Sequence, residues 1–244
     1  MIEPPNCAWH SNASHKMHKM CLAQSELFLT TAEYKINHLT FYDILIKFYS
    51  IVGEVFMNTD QKKIKLLELL RMLSFQKREI ILASGRRSNF YIDCKQTALT
   101  PEGLYLIGNI FLDTIKGIGE KIDGVAGVTL GGDPLVCATS YASYVDGANI
   151  PALIIRKELK GHGTEVYVEG KRNVPERAQV VILEDVVTTG GSTLKACERV
   201  KQEGLKVAYI ICLVDREEGG RENVEAAGYR LFSVFKKRDF IDEA

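Results

Sequence analysis

The spacing of apolar residues changes period repeatedly once the chain passes residue 57. In MNTDQKKIKLLELLRMLSFQ (57–76), Leu66, Leu69, Leu70 and Leu73 share one face at the helical period, with Asn58 or Thr59 placed to cap the first turn. REIILAS (78–84) and NFYIDC (89–94) are β-like, the second through its alternation of apolar and polar positions. Thr100–Pro101 then opens a helix as N-cap and N1, and glycines close it near 117–119. Beyond it, GVAGVTL (124–130), PALIIRK (151–157), QVVILEDV (179–186), KVAYIICLVD (206–215) and YRLFSVF (229–235) read as strands. Between them, 131–147, 191–204 and 219–228 read as helices, the middle one with Leu194, Cys197 and Val200 on one face. Strands alternating with short helices predict βαβ units, hence an α/β fold with a mainly parallel sheet flanked by helices.

Residues 1–20 show no periodicity and read as disordered, while 21–56 offer one or two short helices with nothing obvious to pack on. The expected division is an N-terminal extension, 1–56, disordered or arising from a misassigned start, followed by a functional domain, 57–244. The apolar patches of 27–57 are broken by Glu33, Lys35, Asp43, Lys47 and Glu54, so they make no membrane span, and the first twenty residues lack the apolar core of a secretory signal.

Charge adds little. Lys+Arg and Asp+Glu both number 31, so the average gives no sign of a nucleic-acid or membrane partner. The six cysteines have no C-x-x-C spacing and read as reduced thiols of a cytoplasmic protein. His10, His15, His18 and His38 lie in the extension, without the surrounding fold that a metal site needs.

The chemistry concentrates in ILEDVVTTGGSTLKA (182–196), where a buried strand runs into two acids and then into small residues before a helix. Such a strand-to-helix turn is where open α/β sheets bind ligands, and its backbone N–H groups can converge on an anion at the positive end of the helix. Glu184 and Asp185 would repel a bare phosphate. Both features suit one ligand when it carries hydroxyls for the acids and a phosphate for the amides, as a ribose 5-phosphate does. No Walker-type loop is present, and GIGEKI (117–122) lacks the third glycine of a dinucleotide fingerprint.

An apolar run followed by E-D-V-V-T-T-G-G-S-T resembles the phosphoribosyl-diphosphate motif of type I phosphoribosyltransferases. ASGRRSNFYIDCK (83–95), GGDPL (131–135), IRKELKGHGTE (155–165) and VDREEGG (214–220), in this order and spacing, are similar to the orotate phosphoribosyltransferases. The resemblance covers about residues 57–240. It implies the type I phosphoribosyltransferase fold with a small N-terminal hood. The implied reaction transfers ribose 5-phosphate from 5-phosphoribosyl 1-diphosphate to orotate, giving orotidine 5′-monophosphate and pyrophosphate in pyrimidine synthesis.

The resemblance also implies roles. Glu184 and Asp185 would hold the ribose hydroxyls and face the cationic ring of the transition state. The backbone and hydroxyls of Thr188, Thr189, Gly190, Gly191 and Ser192 would cradle the 5′-phosphate, with Val186 and Val187 also counted among the residues binding the ribosyl diphosphate. Arg156, Lys157, Lys160 and His162 would close over the pyrophosphate on a glycine-hinged loop. In the resembling enzymes that loop, 156–163 here, acts in the neighbouring subunit's site, which implies a homodimer. Lys160, His162 and Asp185 are the implied catalytic residues. Arg216 would pair with the orotate carboxylate and Thr188 would touch orotate. Phe90 and Tyr91 would pack on its ring, or sit in the core, as one of them must if the strand alternates. Mg2+ would be held mainly by substrate diphosphate and ribose oxygens and by water, with no dedicated protein ligand. Ala83 and Leu130–Gly131 stand where some relatives carry lysine-containing sequences, which leaves fewer cations in the site. A nucleotide-sensing regulator on the same fold would carry a basic nucleic-acid surface, which the core sequence does not show.

Overall fold

A computed structural model of the chain describes residues 57–78, 80–81, 87–88, 90–158 and 166–241. The extension 1–56, Ala83, Lys160 and His162 lie outside the described residues.

Asn58 caps α1 (Thr59–Leu69): its side chain accepts from Gln61 N at 2.9 Å while Gln61 Oε1 accepts from Asn58 N at 3.0 Å. Leu66 and Leu70 are fully buried, but Leu73 is 37% exposed, contrary to the shared face expected. Residues 70–74 continue as a π-helical turn, and its wider winding rotates Leu73 off the α-helical phase. The strand expected over 89–94 shortens to β4 (Tyr91–Ile92), antiparallel to β1 (Phe75–Gln76). Cys94 then occupies the N-cap position of a short helix, α2 (Lys95–Ala98), without a side-chain capping bond. Between them β2 (Ile80–Ile81) pairs antiparallel with β3 (Arg87–Ser88).

Helix α3 (Pro101–Ile118) begins as its sequence dictates, with Thr100 Oγ1 accepting from Gly103 N, and stops at Gly119 in the left-handed region. The main sheet follows: β5 (Gly124–Val128), β6 (Ala152–Ile155), β7 (Val168–Glu169), β8 (Gln179–Val187), β9 (Lys206–Asp215) and β10 (Leu231–Lys236). Its spatial order is β10-β9-β8-β5-β6-β7, parallel throughout except for the β6–β7 pair. Helices α4 (Gly132–Asp146), α5 (Gly191–Gln202) and α6 (Gly220–Ala226) make the crossovers β5-to-β6, β8-to-β9 and β9-to-β10.

Strand side chains alternate between two cores. Val181, Leu183, Ile211 and Leu213 pack with α1, α3 and α4, whereas Val180, Ile182, Ile210 and Cys212 pack with α5 and α6. A sheet covered on both faces needs strands that are apolar at nearly every position, as β8 and β9 are. From β5 the chain steps to β6 on one side, whereas from β8 it steps to β9 on the other. The carboxyl ends of β5 and β8 therefore flank the crevice where the order reverses, the usual ligand position in such sheets. No helix among the described residues is long and apolar enough to cross a membrane.

Candidate active site

Strand β8 carries both acids to that crevice, and successive strand residues point to opposite faces. Glu184 is 5% exposed, beside Thr193 in the first turn of α5. Its Oε1 is buried without a hydrogen bond, as is the Thr193 hydroxyl, so the two are neighbours that do not reach bonding geometry. Burial pushes the Glu184 carboxyl up to about 8, Asp185 adds to the rise, and Thr193 and the Lys157 ammonium draw it partly back. Asp185 turns toward the loop after β5: a Cβ on Gly131 would meet its carboxylate. Burial also raises Asp185, against a 2.9 Å bond from Val186 N to its Oδ1 and the positive charge of Lys95.

Lys95 was not singled out by sequence, although it lies inside a matched segment. Its Nζ pairs with Asp93 Oδ1 at 2.6 Å. Thr193 was likewise missed, because nothing in G-G-S-T distinguishes a helix-turn hydroxyl that faces an acid from one that faces water.

The turn from β8 into α5 is built for a close approach of backbone. Gly190 has φ +80°, a left-handed conformation open mainly to glycine, and a Cβ there would stand 3.0 Å from Gly220 O. In return, a Cβ on Gly220 would lie 2.6 Å from Thr188 O. Asn223 Nδ2 donates to Thr189 O at 2.9 Å, and Arg216 N to Val187 O at 2.9 Å. The segment 188–190 thus rests on the start of α6. Gly191 and Ser192 are exposed, a Cβ on Gly191 would meet nothing nearer than Thr189 Oγ1 at 4.0 Å, and helix α5 has no side-chain cap, so its first amides are available to an anion.

Arg216 follows β9 and is 8% exposed. Its Nη2 lies 3.0 Å from Glu218 Oε1 and donates to Phe90 O at 3.1 Å. Of the two aromatics, Phe90 is the core residue. It is 1% exposed, with its ring 5.1 Å from that of Phe75 and 5.7 Å from that of Phe240. Its side chain is therefore unavailable to a base, and its carbonyl serves instead to hold Arg216. Tyr91 is half-buried, with the Arg78 guanidinium 4.0 Å above its ring.

The stem of the basic loop is anchored. Arg156 contacts Glu169 Oε1 through Nε at 2.8 Å and Nη2 at 2.7 Å, and Arg199 donates to Lys157 O. Among the described residues no group of three or more His, Cys, Asp or Glu is arranged to hold a metal ion. A separate concavity of about 980 Å³ is lined by Val166, 168–177 and 203–205, at the amino ends of β8 and β9, and contains none of the matched site residues.

The phosphoribosyl transferase domain profile matches residues 96–239. The chain is 48% identical over 179 residues to the orotate phosphoribosyltransferase of Sorangium cellulosum, covering 73% of this chain and 93% of that protein. It is 47% identical over 175 residues to the enzyme of that name from Nostoc sp., covering 72% and 83%. Among solved structures, Mycobacterium tuberculosis orotate phosphoribosyltransferase bound to 5-phospho-alpha-D-ribosyl 1-diphosphate is similar at TM-score 0.58 and 31% identity, covering 73% of this chain and 98% of that one. The same enzyme with Fe(III) dicitrate gives TM-score 0.63 at 32% identity, with the same coverages.

Proposed function

The chain belongs to the phosphoribosyl transferase family, and within it we propose an orotate phosphoribosyltransferase. It transfers ribose 5-phosphate from 5-phosphoribosyl 1-diphosphate to orotate in pyrimidine synthesis. The observation that carries this reading is the meeting, at the sheet's reversal point, of the Glu184–Asp185 pair, the open first turn of α5 and the buried Arg216.

In this reading the α5 amides and the hydroxyls of Thr188, Thr189 and Ser192 hold the 5′-phosphate, while Glu184 and Asp185 hold the ribose hydroxyls. The C1–oxygen bond to pyrophosphate breaks as C1 bonds to the orotate nitrogen, whose proton is given up to water or the departing pyrophosphate, and Asp185 faces the positive charge that develops on the ring. Arg216 selects the base by its carboxylate, since a guanidinium pairs with a planar carboxylate through two N–H groups. Lys160 and His162, carried on the stem anchored at Arg156, meet the departing pyrophosphate in the neighbouring subunit of a homodimer.

Mg2+ suits this site only as a partly hydrated ion shared with the substrate. The unbonded Glu184 Oε1 and the Asp185 carboxylate are oxygen donors, but they make no cage. When bound, the ion neutralises charge on the diphosphate. A cytoplasmic setting accords with Cys94, Cys137, Cys197 and Cys212, which are free thiols.

The test is to incubate the protein with the ribosyl donor, Mg2+ and a panel of bases. Orotate-dependent loss of ultraviolet absorbance supports the reading. Turnover of adenine or uracil in its place overturns it.

A further inference from the structure

Arg216 already holds a carboxylate. Its Nη2 lies 3.0 Å from Glu218 Oε1, with side-chain exposures of only 10% and 11%, so the pair is sealed from water. Glu218 grips through one oxygen, because its Oε2 is buried with no hydrogen bond. The residue joining the two is strained, Glu217 having φ +55°, and Gly219 follows at φ +89°, a conformation open to glycine. The turn is held from both ends, by Glu217 N donating to Asp215 Oδ1 at 2.9 Å and by the close approach of Gly220 to Thr188 O. With the backbone held in this way, any release of Arg216 falls to the Glu218 side chain.

We propose that Glu218 is an internal competitor that sets the affinity for the base: its carboxylate stands in for that of the substrate on Arg216, and a ligand bringing its own carboxylate must displace it. This rests on the reading of Arg216 given above and deepens it. A buried cation must be neutralised, and removing its partner leaves an uncompensated charge. With Glu218 in place that need is met in the empty site, so a base lacking a carboxylate gains nothing from Arg216. A carboxylated base exchanges one anion for another, and displacement starts from a one-oxygen contact. Glu218 therefore weakens a carboxylated ligand by the exchange it must make and leaves a ligand without a carboxylate unaffected.

The experiment compares orotidine 5′-monophosphate with uridine 5′-monophosphate, which share the ribose 5-phosphate and differ in the carboxylate. Glu218→Gln keeps the shape and removes the charge. Calorimetry on the full chain should show orotidine 5′-monophosphate bound about tenfold tighter or more than by the parent, one such step being about 1.4 kcal/mol. Binding of uridine 5′-monophosphate should stay within about twofold, and the KM for orotate should fall while that for the ribosyl donor holds. Weakened or unaltered binding of orotidine 5′-monophosphate by Glu218→Gln overturns the proposal, since it makes Glu218 an anchor of Arg216 or a bystander. Should Glu218→Gln not fold, Glu218→Asp keeps the charge but shortens the reach, and the same tightening in smaller degree is expected of it. Arg216→Ala separates the two readings: if it leaves the preference between the nucleotides intact, the role of Arg216 itself fails. If that preference collapses while Glu218→Gln tightens nothing, only the role of Glu218 fails.

Discussion

The carboxylate of Asp185 rests against the backbone of Gly131: a Cβ on that glycine would stand 2.5 Å from Asp185 Oδ2 and 2.8 Å from Oδ1. The carboxyl ends of β5 and β8 therefore meet through a side chain and a missing side chain. Gly131 sits in the right-handed region, so alanine there is not strained by φ, and the clash is with the end of one side chain. Gly131→Ala should move the Asp185 carboxylate and leave the fold alone. The expected outcome is a loss of at least about tenfold in kcat/KM for the ribosyl donor, about 1.4 kcal/mol of transition-state stabilisation. The melting temperature should change by no more than about 2 °C. Steady-state kinetics with a thermal melt checks both.

Glu184 gives the site a pH signature. Its carboxyl is raised from 4.5 to about 8 by burial, so between those values the folded protein binds a proton that the unfolded chain has released. The stabilising contribution of the protonated form is complete below about 4.5 and is lost as pH rises through about 8. Glu184→Gln should therefore flatten the fall in melting temperature between pH 5 and 8.5. It should melt higher than the parent at the alkaline end, by roughly 2–4 °C for each kcal/mol recovered. Parallel melts across pH check it; identical slopes in the two proteins would remove Glu184 as the titrating group.

Much of the architecture was legible because both cores obey simple periods. Leu194, Cys197 and Val200 line one face of α5 as spaced, though Leu194 is only partly buried, and β8 and β9 announce themselves by unbroken apolar runs between turn residues. The region before α3 was less legible. There β1 to β4 are two residues each, too short to show a period, and a π turn shifts the phase of Leu73. Within the site, Glu184, Asp185 and the glycines were readable because a strand end, adjacent acids and positive-φ residues all leave marks in sequence. Glu218 was not, since an acid two residues after an arginine reads the same whether it faces water or grips the guanidinium at 3.0 Å.

Gly190 combines two demands. Its φ of +80° strains any other residue, and a Cβ would press on the Gly220 carbonyl at 3.0 Å and on Val224 Cγ2 at 3.1 Å. Gly190→Ala should cost about 1–3 kcal/mol of stability, by left-handed strain plus overpacking. The displaced amides should also weaken the ribosyl donor more than orotate. A melt and separate KM values check this, and equal changes in both KM values would mean that the turn holds no phosphate.

The basic loop tests the assembly. Its stem is fixed within its own subunit, by Arg156 on Glu169, by Arg156 N donating to Tyr167 O at 2.8 Å, and by Arg199 on the Lys157 carbonyl. A loop fixed at its root can deliver Lys160 reproducibly to only one place, and if that place is the neighbour's site, two defective subunits can repair each other. Lys160→Ala and Asp185→Asn should each lower turnover by about a hundredfold or more, the usual scale for losing a transition-state charge contact. Mixed in equal amounts under conditions that exchange subunits, half of the dimers pair one variant with the other. Each of those holds one site with intact Asp185 and a donated intact Lys160, restoring about a quarter of parental activity in a two-fold assembly. Lys160→Ala mixed with parent in excess should not exceed the parental contribution, which controls for simple dilution. If the mixture stays as inactive as its components while native mass spectrometry shows mixed dimers, the loop serves its own subunit, and a shared site is ruled out.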